Sequence, residues 1–290
     1  MRKWAINRNN LFLLPSLIIL IPISLIPFLI IIYFSLLNIY TFNFYNPSWA
    51  GLNNFINLVS GPDFWNSLFV SGLYVTVVVG AEVIFGLLLA LFFNYNFYGK
   101  SVLFVIIMIP VIISQAVVGY MFLIMLSDMF GIVSYILSIL NVKISILGER
   151  AAALAAMILI DILIWTPYCF LVIYAGLKTV PSAVLEAAKI DGATKYKLFR
   201  YVMLPLLLPI ITVAVIFRTI DAFKTFDYVY IITGGGPGTA TTTLSILIYK
   251  YFDSGNIGMS SALSLLVLIM AILLSRLYYS FLVSRRWQTT

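Results

Sequence analysis

Apolar positions fall into six long runs separated by shorter polar stretches, at approximately 11–37, 68–93, 102–126, 151–175, 201–220 and 259–283. Each run holds at most one charged residue. A helix needs about 20 such residues to cross the ~30 Å hydrocarbon layer of a bilayer, so the pattern predicts six transmembrane helices. The first run exceeds the ~7–15 apolar residues of a cleavable signal and shows no small-residue cleavage site, so it reads as a retained anchor. Its Pro15, Pro22 and Pro27 predict bending.

The polar stretches set the orientation. With the N-terminus inside, Arg2, Lys3, Arg8, Lys100, Lys178, Lys189, Lys195, Lys197, Arg200, Arg276, Arg285 and Arg286 lie on the cytoplasmic side. The other side receives Lys143, Arg150, Arg218, Lys224 and Lys250, and the stretch from Asn38 to Ser67 holds no basic residue. Cytoplasmic loops are the ones enriched in Lys and Arg, so both termini are expected inside, with Tyr40, Tyr45, Trp49 and Trp65 at the outer interface. The expectation is an all-α integral membrane protein with residues 1–290 forming one transmembrane domain.

Composition narrows the chemistry. With 63% hydrophobic and 9% charged residues, the chain lies outside the range of soluble globules. It has no histidine and one cysteine, Cys169, which excludes a disulfide framework and histidine base catalysis and leaves no zinc cluster. Cys169 sits in an apolar run and reads as a small core residue. The net charge of +7 reflects basic residues that flank apolar runs as membrane anchors do, not a nucleic-acid surface. No catalytic or metal site is expected: Glu82, Asp161, Asp221 and Asp227 are too scattered in sequence to form a recognisable catalytic set. No G-x-x-x-x-G-K-[ST] motif occurs, and the run Thr233 to Thr239, T-G-G-G-P-G-T, lacks lysine, so it reads as a tight external turn rather than a phosphate cradle.

The sharpest signal lies in the cytoplasmic loop at about 178–200. Ser182 is placed to cap a short helix, Val184, Ala187, Ala188 and Ile190 give it an apolar side, and Asp191-Gly192 ends it with glycine in the left-handed region. A second helix then enters the membrane at Leu204-Pro205. Packing on the underside of the chain's own bundle is one reading; docking of a partner, with Glu186 and Asp191 free to meet basic groups, is the other.

These residues resemble the EAA loop of permease subunits of ATP-binding-cassette importers, E-A-A, three residues, G, nine residues, I, one residue, L-P. Glu186, Ala187, Ala188, Gly192, Leu204 and Pro205 match, with Val202 at the isoleucine position. The flanking I-W-T-P-Y, F-R-T-I-D-A-F-K-T-F-D and I-T-G-G-G-P-G look like the carbohydrate branch that includes maltose, trehalose and glycerol-phosphate permeases, most clearly from about Asp161 to Tyr249. Neither the extra N-terminal helices nor the large external insertion of the Gram-negative maltose permease is expected here, so features tied to those parts do not carry over.

The resemblance implies a type I importer fold in the plasma (inner) membrane of a prokaryote, and a non-enzymatic role. It implies a second, related but non-identical permease subunit, two cytoplasmic ATPase subunits that hold ATP and Mg2+, and an extracytoplasmic solute-binding protein. No cofactor is expected on this chain itself. Glu186, Ala187, Ala188, Asp191 and Gly192 would couple closure of the ATPases to opening of the pore, by rocking of rigid halves about a central site.

A carbohydrate pocket is expected on the fourth and fifth spans. Asp161, Trp165 and Tyr168 share a helix face that combines a hydroxyl acceptor, an indole platform and a phenol, with Ile164 beside them. By register from Glu186 they match the stretch with which maltose-type permeases line their sugar pocket, although Asp161 and Trp165 are not the residues that permease uses. Arg218, Ala222 and Thr225 would face them from the fifth span, with Asp221 also facing the pathway. Two alternatives stay open. Arg218, Asp221, Lys224 and Asp227 also fit a self-neutralised helix end, and Asp161 can bond internally. A different class of function, an ion-coupled secondary carrier using Glu82 and Asp161, rests on the about 2.5–3.5 kcal/mol that an intramembrane charge costs, but it leaves the loop pattern unexplained.

Overall fold

The structure, a computed structural model, describes residues 14–142 and 144–280. Of the residues used for orientation, Arg2, Lys3, Arg8, Lys143, Arg285 and Arg286 lie outside the described residues, as do the two outer ends of the first and last runs.

The described chain is built of helices, with one two-residue antiparallel ribbon, β1 (Leu37–Asn38) against β2 (Ser48–Trp49). In order, the helices are α1 (Leu14–Ser35), α2 (Asn53–Ser60), α3 (Pro62–Phe93), α4 (Lys100–Ile112), α5 (Gln115–Leu126), α6 (Ile132–Ile139), α7 (Arg150–Lys178), α8 (Ser182–Ile190), α9 (Lys195–Lys224), α10 (Asp227–Thr233), α11 (Leu244–Asp253) and α12 (Ile257–Tyr279). Five of them, α1, α3, α7, α9 and α12, are long and apolar enough to cross a membrane alone. The expected third span differs: it is two helices, α4 and α5, bent by 93°. Pro110 withdraws one backbone donor from the end of α4, and Ile113 and Ser114 take extended backbone before α5 begins.

The chain divides into two compact units. The smaller takes the segment up to Pro62 and Ile248–Leu266. Within it Asn54 is buried and its Nδ2 donates to the carbonyls of Ser35 and Leu37, both at 2.8 Å, which fixes the exit of α1. α1 itself keeps its apolar side chains exposed along its span and runs on through Pro22 and Pro27.

The larger unit, Asp63–Leu247 with the segment from Val267, holds α3, α4, α5, α7 and α9. Its spans are apolar on nearly every side, so packing specificity comes from residue size rather than from an apolar stripe. At Gly86 a Cβ would stand 2.7 Å from the Cβ of Cys169, so α3 and α7 meet with no room for a side chain. Cys169 is buried there as the small core residue expected. Nearer the cytoplasmic ends, Phe93, Phe170, Ile173, Met203 and Leu207 form a continuous apolar core.

α9 continues without interruption from Lys195 to Lys224 through a π-helical stretch, Leu198–Met203, before Pro205. The connection from Asp221 to Ile257 is not irregular: it is the end of α9 followed by α10 and α11.

Candidate functional site

Three helices of the larger unit each place an ionisable residue at one point. From α9, Arg218 is fully buried; its Nε donates to Glu82 Oε2 of α3 at 2.6 Å and its Nη2 to Glu82 Oε1 at 2.8 Å. Its Nη1 donates to Asp221 Oδ2 at 2.7 Å, one helical turn on. Nη2 also lies 3.3 Å from Oδ2 and 3.4 Å from Oδ1 of Asp161 on α7. Tyr74 of α3 donates to Asp161 Oδ2 at 2.8 Å and makes a short hydroxyl–hydroxyl hydrogen bond with Tyr228 of α10.

The grouping follows from the cost of charge in an apolar medium. Glu82 and Asp161 have no exposed surface, and ionised side chains there persist only when paired and hydrogen-bonded. Arg218 answers both with a planar fork of five donors, and its bidentate bond to Glu82 fixes both distance and rotation between α3 and α9. Three of the four carboxylates too scattered in sequence to form a recognisable catalytic set, Glu82, Asp161 and Asp221, are therefore assembled around one guanidinium. The signal was in the charges themselves: Glu82, Asp161 and Arg218 are the single charges of three separate runs, and each requires a partner from another helix.

The expected pocket residues separate by burial. Asp161, Ile164, Arg218, Ala222 and Thr225 are buried, while Trp165, Tyr168 and Asp221 are half-buried and form the accessible edge. Trp165 stacks under the guanidinium of Arg218, its ring centroid 4.6 Å from Cζ, and meets Tyr168 edge-on at 6.2 Å. Tyr168 in turn packs on Phe217 at 5.3 Å. The Trp165 Nε1–H, though buried, has no hydrogen-bond partner within the chain.

At the end of α9, Thr225 is the last residue placed by helical geometry: it is buried like Arg218 and Ala222, its Oγ1 donates to the Asp221 carbonyl at 3.5 Å, and its ψ of 120° turns the chain that follows. One expectation there is corrected. The series Arg218, Asp221, Lys224, Asp227 is not one helix face: only its first pair bonds, Lys224 is exposed, and Asp227 opens α10, where its carboxylate meets the positive end of the new helix. Nor is Arg218 an outer-loop residue, as the orientation count took it to be; without it the excess of basic residues inside is larger.

The glycine run forms the expected turn. Gly234, Gly235 and Gly238 take positive φ, and the hydroxyls of Thr241 and Thr242 donate to the carbonyls of Gly236 and Gly235 at 2.7 and 2.9 Å. The amides of Gly234, Gly235 and Gly236 are bonded to Tyr230 O, Thr233 Oγ1 and Thr233 O, so they do not converge on an anion.

At the cytoplasmic loop, α8 carries Glu186, Ala187 and Ala188, and Asp191 precedes Gly192, whose φ of +76° is the left-handed position expected. Ser182 does not cap it: Pro181 holds the cap position and Ser182 is the first helical residue, with no side-chain cap bond. Leu185 turns toward the apolar core, whereas Val184, Glu186, Ala187 and Ile190 are exposed. The apolar side expected from sequence therefore faces outward.

Residues 82–287 match the family described as binding-protein-dependent transport system inner membrane component. A trehalose/maltose transport system permease protein, MalF, of Thermococcus litoralis is 36% identical over 92% of this chain and 91% of its own length. A sulfoquinovosyl glycerol transport system permease protein, SmoG, of Agrobacterium fabrum is 33% identical over 92% and 88%. Among solved structures, a chain of a bacterial ABC transporter involved in the import of alginate, an acidic polysaccharide, superposes with a TM-score of 0.81 at 21% identity, covering 97% of this chain and 96% of that one.

Proposed function

Because the chain belongs to the family of binding-protein-dependent inner membrane transport components, and so is a multi-pass permease subunit rather than an enzyme, we propose that it forms one half of the pore of an ATP-driven carbohydrate importer. The observation that carries this reading is the near full-length match to relatives named for sugar and glycosyl-glycerol transport, supported by a short helix, α8, that leaves Val184, Glu186, Ala187 and Ile190 exposed.

In this reading α8 sits in a groove of a separate ATPase subunit, with Glu186 meeting a basic group and Gly192 providing the turn that returns the chain to α9. Two such ATPases supply ATP and Mg2+, an external solute-binding protein delivers the sugar, and a related second permease completes the pore. α1, exposed along its whole span, is then covered jointly by that subunit and by lipid.

The sugar would meet the accessible edge of the charged cluster. Trp165 offers a ring face to the C–H side of a pyranose, Asp221 accepts from hydroxyls, and Tyr168 donates or accepts. Asp161, Arg218, Ala222 and Thr225 would hold that edge in place from beneath, with Ile164 packed beside them. The ion-coupled carrier is not favoured: both of its carboxylates are engaged by one arginine.

The test is uptake by the reconstituted importer. Transport should require the ATPase subunits and the binding protein, and should survive a protonophore while ATP is maintained. Trp165→Ala should impair uptake and shift substrate preference with ATPase subunits still bound. Uptake that persists without the ATPases but collapses with the proton gradient would sink the reading.

A further inference from the structure

Below the apolar core, a cavity of about 350 Å³ opens between the end of α3, α8 and the first turns of α9. Its rim carries Lys189, Lys195 and Asn94, and its floor Leu91, Leu198 and Met203. Two further ammonium groups stand beside it: Lys178 Nζ donates to Asn94 Oδ1 at 3.3 Å, and Lys100 Nζ donates to the Tyr95 carbonyl at 3.2 Å. Both also lie over the ring of Tyr174, at 5.1 and 5.7 Å. None of these four lysines is ion-paired with a described carboxylate.

We propose that this cavity binds one anionic phospholipid of the cytoplasmic leaflet, its phosphate on Lys189 and Lys195 and an acyl chain on the apolar floor, and that the lipid seats α8 against the permease. Charge complementarity and position select the occupant. The cavity joins a cationic rim to an apolar floor, the complement of an amphiphile with a negative head. It lies where the long apolar helix α3 ends, at Phe93, and where α9 begins, at Lys195. The inner leaflet carries a negative surface potential that attracts basic residues near the spans. The side of α8 that a partner protein would take is a different one: Ala183, Ala187 and Ile190 lie opposite Leu185 on the helix, and Ile190 is 87% exposed. A lipid wedged between α8 and α3 would stiffen the helix from its inner side while leaving its outer side free.

The experiment uses the complete importer, placed in nanodiscs of phosphatidylcholine with or without phosphatidylglycerol, with lipid retention read by native mass spectrometry after gentle delipidation. The wild type should retain phosphatidylglycerol over phosphatidylcholine. A doubly substituted K189Q/K195Q importer should bind it about 25-fold more weakly, as follows from about fivefold per lysine at an anionic surface. The K189R/K195R importer should retain it, and the ATPase subunits should copurify with all three. Equal retention by wild type and K189Q/K195Q overturns the proposal. So does displacement of phosphatidylglycerol by inorganic phosphate, which would make the occupant a soluble anion. Loss of the ATPase subunits from K189Q/K195Q in phosphatidylcholine alone also overturns it, because the lysines would then belong to the ATPase interface. None of these readouts depends on which solute the importer carries.

Discussion

At the scale of single residues, the buried cluster is held by one cation against three carboxylates, and Arg218 is the member without substitute. Removing one partner of a buried ion pair leaves uncompensated charge and typically costs about 3–5 kcal/mol. Arg218→Met is therefore expected to lower the thermal unfolding midpoint of the purified permease steeply, and Arg218→Lys to recover only part, since an ammonium cannot reproduce the bidentate bond to Glu82. Glu82→Gln, which keeps an acceptor and removes one charge, should be milder than Arg218→Met. A midpoint unchanged in Arg218→Met, followed by fluorescence in detergent, would show that the cluster is not holding the helices together. Much of this was legible in the sequence as three lone intramembrane charges on separate runs. Tyr74 and Tyr228 were not legible: tyrosine is common in this chain, and only the fold brings these two against Asp161. The charge series shows the opposite error, where spacing by three was carried past Thr225 to Asp227, across the point at which the backbone turns away.

At the scale of elements, contact between apolar helices in lipid depends on how closely their backbones approach. Gly86 faces Cys169 and the Phe170 amide at 2.7–2.8 Å from where a Cβ would stand, whereas Gly80, on the same helix, faces open space. Gly86→Leu should separate α3 from α7 and lower the yield of folded protein, while Gly80→Leu should be tolerated; size-exclusion recovery of the two variants decides, and equal recovery would refute the close approach as a requirement. Five of the six expected spans match single helices because run length alone specifies them. The third did not, because Pro110 and the break at Ser114 stop a helix without interrupting its hydrophobicity, and apolar runs carry no other punctuation. At the turn between α8 and α9 the glycine is different in kind. A Cβ on Gly192 would meet nothing within the chain, so its restriction is the positive φ of +76°. Gly192→Val should therefore displace the return from α8 to α9 and reduce transport more than Gly192→Asn, because asparagine tolerates the left-handed region far better than a β-branched residue. Uptake equal in both variants would remove the backbone explanation.

At the scale of the whole molecule, the chain is a multi-pass permease subunit whose sequence carries no nucleotide-binding lysine motif. Its glycine-rich run spends its amides on its own turn instead of on an anion. In the proposed reading energy enters through a surface, and α8 has one to offer: a short helix with Leu185 turned inward, Glu186 and Ile190 outward, and a left-handed turn at Gly192. A partner that moves α8 moves α7 and α9 with it, since the loop residues between those spans are few and α9 is continuous from Lys195. The bonds from Arg218 to Glu82 and Asp161 carry the displacement on to α3 as a rigid body. The isolated chain is accordingly expected to show no ATP hydrolysis, and the assembled importer to hydrolyse ATP faster when its solute-loaded binding protein is present. Glu186→Lys, which reverses a charge on the outward face, should leave membrane insertion and basal hydrolysis intact while abolishing that stimulation. Hydrolysis by the isolated polypeptide, or full stimulation in Glu186→Lys, would mean that energy enters by another route.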